Sequence, residues 1–224
     1  MAEQVRAIRT RRAILSAAAK IFEERGYQAA TISEILTAAG VTKGALYFHF
    51  QSKEDLAQGV LAEQDHQQIF VPDRPSKVQE LVDVAVLHSY RLQTDPMVRA
   101  GVRLTMDQLA HDLDRSGPFV RWAEVLTGLL QTAKAQGELL PHVEPAETAD
   151  VIVGSFAGIQ SMSQAMCDYR DLPARVAALM RHLLPSVVLP SVLTSLHLGE
   201  SRGSEVYAEA TKTARLRQAA EAAG

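Results

Sequence analysis

Residues 31–56 read TISEILTAAGVTKGALYFHFQSKEDL. Thr31-Ile-Ser-Glu34 has the spacing of a capping box, in which the first side chain and the fourth satisfy each other's free backbone N–H groups. It predicts a helix over 32–39, with Ile32, Ile35, Leu36 and Ala39 on one face. Gly40 ends that helix at a position expected to take positive φ. Val41 plugs the core, and Thr42 caps a further helix. Ser52-Lys-Glu-Asp55 is a second capping box and opens a fourth helix, running to about residue 68. Helix, glycine turn, helix is the helix-turn-helix pattern.

The helix after Thr42 has barely two turns and cannot hold itself in place. Its aromatics supply anchors. Leu46 and Phe50 are expected to pack inward against Ile14, Ala18, Ile35 and Leu36. Tyr47 and His49 are left near the outer face, where a hydroxyl and an imidazole can reach phosphates. Gly44 omits a side chain where a partner must come close, and Thr42 and Lys43 stand at a helix N-terminus, which favours an anion.

Outward from this stretch, residues 7–25 carry apolar positions at helical spacing, with Gly26 as the C-cap. Downstream, residues 69–75 read IFVPDRP, and the two prolines mark a joint between domains. Further helices are expected at about 76–93, 96–113, 118–136, 145–168 and 172–187, with a last one starting at Pro190. Residues 199–224 are polar and Ala-rich without an apolar stripe, and are expected to form a partly disordered, flexible tail. No strand pattern or repeat is evident. The expectation is an all-α chain, with a helix-turn-helix head at 1–53, a connecting helix at about 53–68, and a helical body at 69–198.

Of the 224 residues 47% are hydrophobic and 22% charged, an ordinary globular balance. The net charge of −3 conceals an asymmetry: residues 1–53 hold 8 basic against 4 acidic side chains, and residues 54–224 hold 15 against 22. A basic head on an acidic body suits a head that meets a polyanion, and Arg6, Arg9, Arg11 and Arg12 open the chain. The single Cys167 excludes an internal disulfide and suits the cytosol. The charged start lacks an apolar run after it, so no signal peptide is expected, and no stretch approaches a membrane span. No enzyme, cofactor or metal is expected. GVTKG lacks the spacing of a phosphate loop, the seven histidines form no metal pair, and His111-Asp112-Leu-Asp114 reads as the decoration of a helix end.

Residues 31–56 resemble the DNA-binding signature of the TetR family of bacterial repressors. The segments TKGALYFHFQSKEDLAQGVL, RAGVRLTMDQ, GPFVRWAEVL, GELLPHV and VGSFAGIQ are similar to the γ-butyrolactone autoregulator receptors of that family. The resemblance implies a cytoplasmic homodimeric repressor, seated on the nucleoid when bound. It implies a small effector in the body and a dimer interface built from the last two long helices. A γ-butyrolactone, butenolide or furan would release the operator and switch on secondary-metabolite genes. The alternative is a repressor of the same type answering an antibiotic or a biosynthetic intermediate.

Two recognition helices in successive major grooves imply a pseudo-palindromic operator in double-stranded DNA. Lys43 is the long side chain placed to read a base edge, with Gly44 permitting the approach and Ala45 against a thymine methyl. Thr31, Thr42, Tyr47, His49 and Lys53 are expected on phosphates. For the effector, Trp122 aligns with the tryptophan of the receptors' pocket. Gln64 falls at the seam of head and body, as a coupling group or a solvated one. Ser155 is a candidate partner for a lactone carbonyl, and Gln160 shares its helix, whose Gly154 and Gly158 suit close helix packing. Leu87, Met106, Leu126 and Leu130 are candidate walls or plain core.

Overall fold

The computed structural model describes residues 2–66, 71–107, 110 and 113–223. Among them the helices are α1 (Ala2–Ala29), α2 (Ile32–Ala39), α3 (Lys43–His49), α4 (Lys53–His66), α5 (Lys77–Thr94), α6 (Pro96–Met106), α7 (Ser116–Ala135), α8 (Pro145–Cys167), α9 (Leu172–Leu183), α10 (Pro190–Leu193) and α11 (Arg202–Ala223). The only strand-like pairing among these residues is an isolated bridge between Leu139 and Val188. The chain divides into two units, one of Met1–Gln68 with Asp95–Pro118 and one of Ile69–Thr94 with Phe119–Gly224.

The first unit is built on local signals. α1 breaks at Gly26, at φ 76° and ψ 170°. The capping box at Thr31 is complete: Thr31 N–H donates to Glu34 Oε2 at 3.0 Å, and Glu34 N–H donates to Thr31 Oγ1 at 3.3 Å. Gly40 closes α2 at φ 64°, the left-handed conformation that a side chain resists. Ile14, Leu15, Ala18 and Phe22 of α1 form one apolar cluster with Ile35, Leu46, Phe50, Leu56 and Val60, which seats the short α3. α6 belongs to this unit, outside the expected boundary at 53. It is tied to α1 by Arg99 Nε to Glu23 Oε1 at 2.7 Å and by Arg103 donating to the Glu23 carbonyl. Tyr27 N–H donates to Asp107 Oδ2 at 3.2 Å, just past the end of α6.

The second unit uses partners far apart in sequence. The Glu138 carboxylate accepts from the N–H groups of Lys77 at 3.1 Å and Val78 at 2.9 Å, and from Ser76 Oγ at 3.1 Å. It caps α5 from sixty residues away, where free N–H groups and the helix dipole both favour a negative charge.

The expectation of a flexible tail over 199–224 is corrected, since Arg202–Ala223 is helical and docks on α5. Arg202 forks onto the fully buried Asp83, with Nε to Oδ1 at 2.9 Å and Nη2 to Oδ2 at 2.7 Å. Arg74 Nε reaches the same carboxylate at 2.8 Å. At Gly203 a Cβ would stand 2.5 Å from the Val86 carbonyl, so only glycine allows this approach of α11 to α5. Val206 and Ala210 are buried, and Tyr207 packs on Tyr90 with centroids 5.1 Å apart. An apolar stripe of so few residues does not register in the sequence; the ionic lock supplies the rest.

Candidate DNA interface and effector site

α3 presents its first turn to solvent. Thr42, Lys43 and Gly44 are exposed and Ala45 is half-buried. Thr42 Oγ1 accepts from the Ala45 N–H at 3.3 Å, capping α3 as the sequence implies. A Cβ at Gly44 would meet nothing within 4 Å. Among the described residues no neighbour requires a glycine there. Tyr47 is exposed, with Lys43 Nζ lying 5.8 Å from its ring centre. His49 is half-buried between Phe48 and Phe50. Phe48, to which the sequence reading gave no role, is 79% exposed and meets His49 edge-on at 5.0 Å.

Two expected phosphate ligands have other tasks. Lys53 Nζ donates to the carbonyls of Tyr27 at 2.9 Å, Gln28 at 3.2 Å and Ala30 at 3.2 Å. An ammonium has three donors, and all three are taken, so Lys53 clamps the end of α1 and is not free for a phosphate. It also lies 4.6 Å from the Tyr27 ring centre. Thr31 gives its one hydroxyl proton to Glu34 Oε2 at 2.8 Å, leaving no donor for an anion. Glu34 is held below the usual carboxylate range by those hydrogen bonds from Thr31 and by Arg25 nearby. Among the opening arginines Arg6, Arg9 and Arg12 are exposed, whereas Arg11 lies 5.2 Å from the Phe50 ring centre and 3.7 Å from Glu63.

The expected effector residues fall in both units. Gln64 lies on α4, but its side chain is outside those described. Met106 ends α6 in the first unit. Leu87 on α5 and Leu126 and Leu130 on α7 are buried in the second unit, and Ser155 on α8 is half-buried. His111 and Asp112 lie outside the described residues. Asp114 does decorate a helix end, its Oδ1 accepting from Ser116 N–H at 3.0 Å.

Trp122 meets a residue that the sequence reading missed. Its ring lies 4.9 Å from His88 of α5, and His88 lies 5.5 Å from Phe156 of α8. Three helices thus bring three aromatic rings together, and all three residues keep part of their surface open. His88 is nonetheless deep: burial first, and the Arg91 charge second, lower its pKa to about 4, so the imidazole is neutral at pH 7. The signal was one histidine set among Val82, Ala85, Val86, Leu87 and Leu92, a pattern that a satisfied core histidine also gives. One turn after Phe156, Gln160 is 6% exposed, and its Oε1 has no hydrogen-bond partner.

A capped, outward-facing helix-turn-helix, carried with a helical unit that buries a neutral polar and aromatic cluster, defines a helix-turn-helix transcription regulator. Residues 14–60 match the family described as bacterial regulatory proteins, tetR family, and residues 76–190 match the tetracyclin repressor-like C-terminal domain. The chain belongs to the TetR family. It is 41% identical over 196 residues to the A-factor receptor protein of Streptomyces griseus, which covers 88% of this chain and 70% of that protein. It is similar to the crystal structure of TylP, a TetR regulator from Streptomyces fradiae, with a TM-score of 0.83, 44% identity, and coverage of 92% and 99% of the two chains. A gamma-butyrolactone receptor, an ArpA-like protein, superposes with a TM-score of 0.68 at 30% identity, covering 92% and 97%. The chain is a TetR-type DNA-binding repressor. Among the described residues no helix is long and apolar enough to cross a membrane.

Proposed function

We propose that this repressor leaves its operator when a γ-butyrolactone-type signalling molecule binds the second unit, and that it controls secondary-metabolite genes from the cytoplasm. The observation that carries the effector reading is the cluster of Trp122, His88 and Phe156 beside the unpartnered Gln160. An alkyl lactone is neutral and mostly apolar with two or three polar atoms, and it needs apolar walls with a few polar groups among them. The buried leucines 87, 126 and 130 supply walls of that kind. The names of the relatives point the same way.

On DNA, Lys43 reads a base edge, Gly44 and Ala45 let the backbone approach, and Thr42, Tyr47 and His49 bind phosphates. The bare space over Gly44 supports this, since the room serves something outside the chain. The working form is a homodimer on a pseudo-palindromic operator. α8 supports the dimer: Val151, Gly154, Gly158, Met162 and Met166 form an exposed stripe at helical spacing. A Cβ at either glycine would meet nothing within 4 Å, and a groove of about 650 Å³ runs between α7 and α8. A second copy laid on this face would remove apolar surface from water.

Induction follows from two-state logic: the effector binds more tightly to a body shape that misplaces the two heads. Shifting occupancy from 99:1 to 1:99 takes about 5.5 kcal/mol of differential affinity. In chain order α6 lies between α5, which carries His88, and α7, which carries Trp122. Its ties to α1 through Arg99 and Arg103 give the effector helices a covalent route to the head.

The test is a gel shift on the protein's own upstream DNA with synthetic γ-butyrolactones and butenolides, read together with the fluorescence of the single Trp122. Release of DNA together with a change in that emission is expected. A complex stable to every such compound would leave the repressor and discard this effector class.

A further inference from the structure

A buried amide oxygen without a partner is rare in a folded protein and calls for a physical account. Among the described residues of the second unit two side-chain oxygens are in that position, Ser89 Oγ on α5 and Gln160 Oε1 on α8. They are not equivalent. A serine hydroxyl inside a helix can turn onto a carbonyl of its own preceding turn, so its loss is small and local. An amide oxygen is an acceptor only, and the N–H groups of a helix interior are already engaged. Gln160 Oε1 therefore needs a donor from elsewhere. Gln160 lies one turn from Phe156, on the face of α8 that meets His88. There aromatic rings from three helices converge and keep some open surface.

We propose that Gln160 Oε1 is the acceptor for a hydroxyl on the effector's alkyl chain, so that the protein selects a chain alcohol over the corresponding ketone. This rests on the effector class proposed above and fixes one of its functional groups. A ketone offers only lone pairs and would leave Gln160 unpaired beside a second unpaired oxygen; an alcohol supplies the missing proton.

The oxygen is closed off by its neighbours, so the contact requires them to move. That movement links recognition to induction. A shape in which Gln160 Oε1 stays unpaired is disfavoured relative to one in which an effector pairs it. The hydrogen bond therefore exists in only one of the two states, the condition for a ligand to shift their balance. His88, uncharged at neutral pH, adds a neutral ring that can itself donate or accept one hydrogen bond.

The experiment uses the full-length protein on its operator. Two synthetic γ-butyrolactones are compared, one with a secondary alcohol on the alkyl chain and one with a ketone at the same carbon. Wild type should be released by the alcohol at a roughly tenfold to hundredfold lower concentration, the range set by one buried group left unpaired. Gln160→Met keeps the size and removes the acceptor. It should erase that preference, and its melting temperature without effector should stay level or rise, because a buried unpaired polar atom is gone. Equal potency of the two lactones on wild type, or a preference for the ketone, overturns the proposal without any variant. A Gln160→Met protein that melts lower and still prefers the alcohol also overturns it and returns Gln160 to a structural role. Wild type that ignores both lactones overturns the effector class, and this proposal with it. That outcome is separate from the others, in which release is seen.

Discussion

The two units hold their helices by different means. In the first, helix ends are closed by residues three or four positions away: Thr31 with Glu34, Thr42 with the Ala45 N–H, and Ser52 Oγ with the Asp55 N–H at 3.0 Å. In the second, Glu138 caps α5 from about sixty positions away, and Asp83 anchors α11 across 119. A unit closed locally can carry a small helix at a fixed angle whatever the rest of the chain does, which suits a reading head. A unit closed by distant pairs responds as a whole when one pair is disturbed, which suits the two-shape body of the proposed induction.

If that contrast holds, the largest effect lies at Asp83. Asp83→Ala strips the buried partner from Arg202 and Arg74, and the loss of one side of a buried ion network costs about 3–5 kcal/mol. Denaturant unfolding should show the second unit melting first, with α11 losing protection in hydrogen exchange. A loss below 1 kcal/mol would mean that Val206 and Gly203 hold α11 without the ions, and the contrast would weaken.

Lys53 is one of the distant ties at the end of α1, with Asp107 and Arg103, and it is the next effect in size. Its ammonium closes the end of α1 from 23 to 26 positions away. Hydrogen bonds from a charged group contribute about 1.5–3 kcal/mol, so Lys53→Met should destabilise the head by about that much. A phosphate ligand and a clamp then separate cleanly. Losing a phosphate contact lowers the salt dependence of operator binding by nearly one ion, whereas losing a clamp leaves the slope alone. An unchanged slope with a lower melting temperature is expected; a reduced slope at full stability would restore Lys53 to the DNA interface.

These two residues also show what the sequence could and could not disclose. The helix-turn-helix was legible almost to the residue, because capping boxes, Gly40 and the apolar face of α2 are signals within one or two turns. Helices α5 to α9 were placed by prolines and periodicity, although α6 ends at Met106 and not near 113. α11, the Asp83 lock and the cap on α5 were not legible, since each depends on a pairing across sixty or more residues. The clamp made by Lys53 was hidden as well, its partners lying 23 to 26 residues back. A lysine beside a recognition helix resembles a phosphate ligand until the three carbonyls it holds are brought to it by the fold. The open face of α3 followed from helix geometry, while His88 and Phe156 required the meeting of α5 and α8.

His88 gives the body a dependence on mild acid. Unfolded, the imidazole takes up its proton near pH 6.5; folded, it resists until about pH 4. Between those values the unfolded chain binds the extra proton, so acidification favours unfolding, and above pH 6.5 the residue contributes no slope. At pH 5 the loss should be on the order of 1–2 kcal/mol. Thermal melts from pH 7.5 to 5 should fall for wild type and flatten for His88→Phe. If the two curves run parallel, His88 is already charged in the fold and the neutral cluster is wrong.

The smallest effects come from the paired caps, and they divide stability from recognition within the head itself. Thr31 and Thr42 each accept a hydrogen bond at 3.3 Å from the N–H three residues on. Replacing either with alanine should cost about 1 kcal/mol, the usual worth of a threonine N-cap. Their hydroxyl protons differ. Thr31 spends its proton on Glu34, and among the described residues Thr42 gives its proton to nothing. Operator binding measured at a temperature where both variants are fully folded should therefore fall for Thr42→Ala and hold for Thr31→Ala. Thr42→Ser, which keeps the hydroxyl, should recover the loss. Equal losses at the two positions would show that operator affinity tracks the order of α2 and α3 as a pair, and Thr42 would then be a cap and no more.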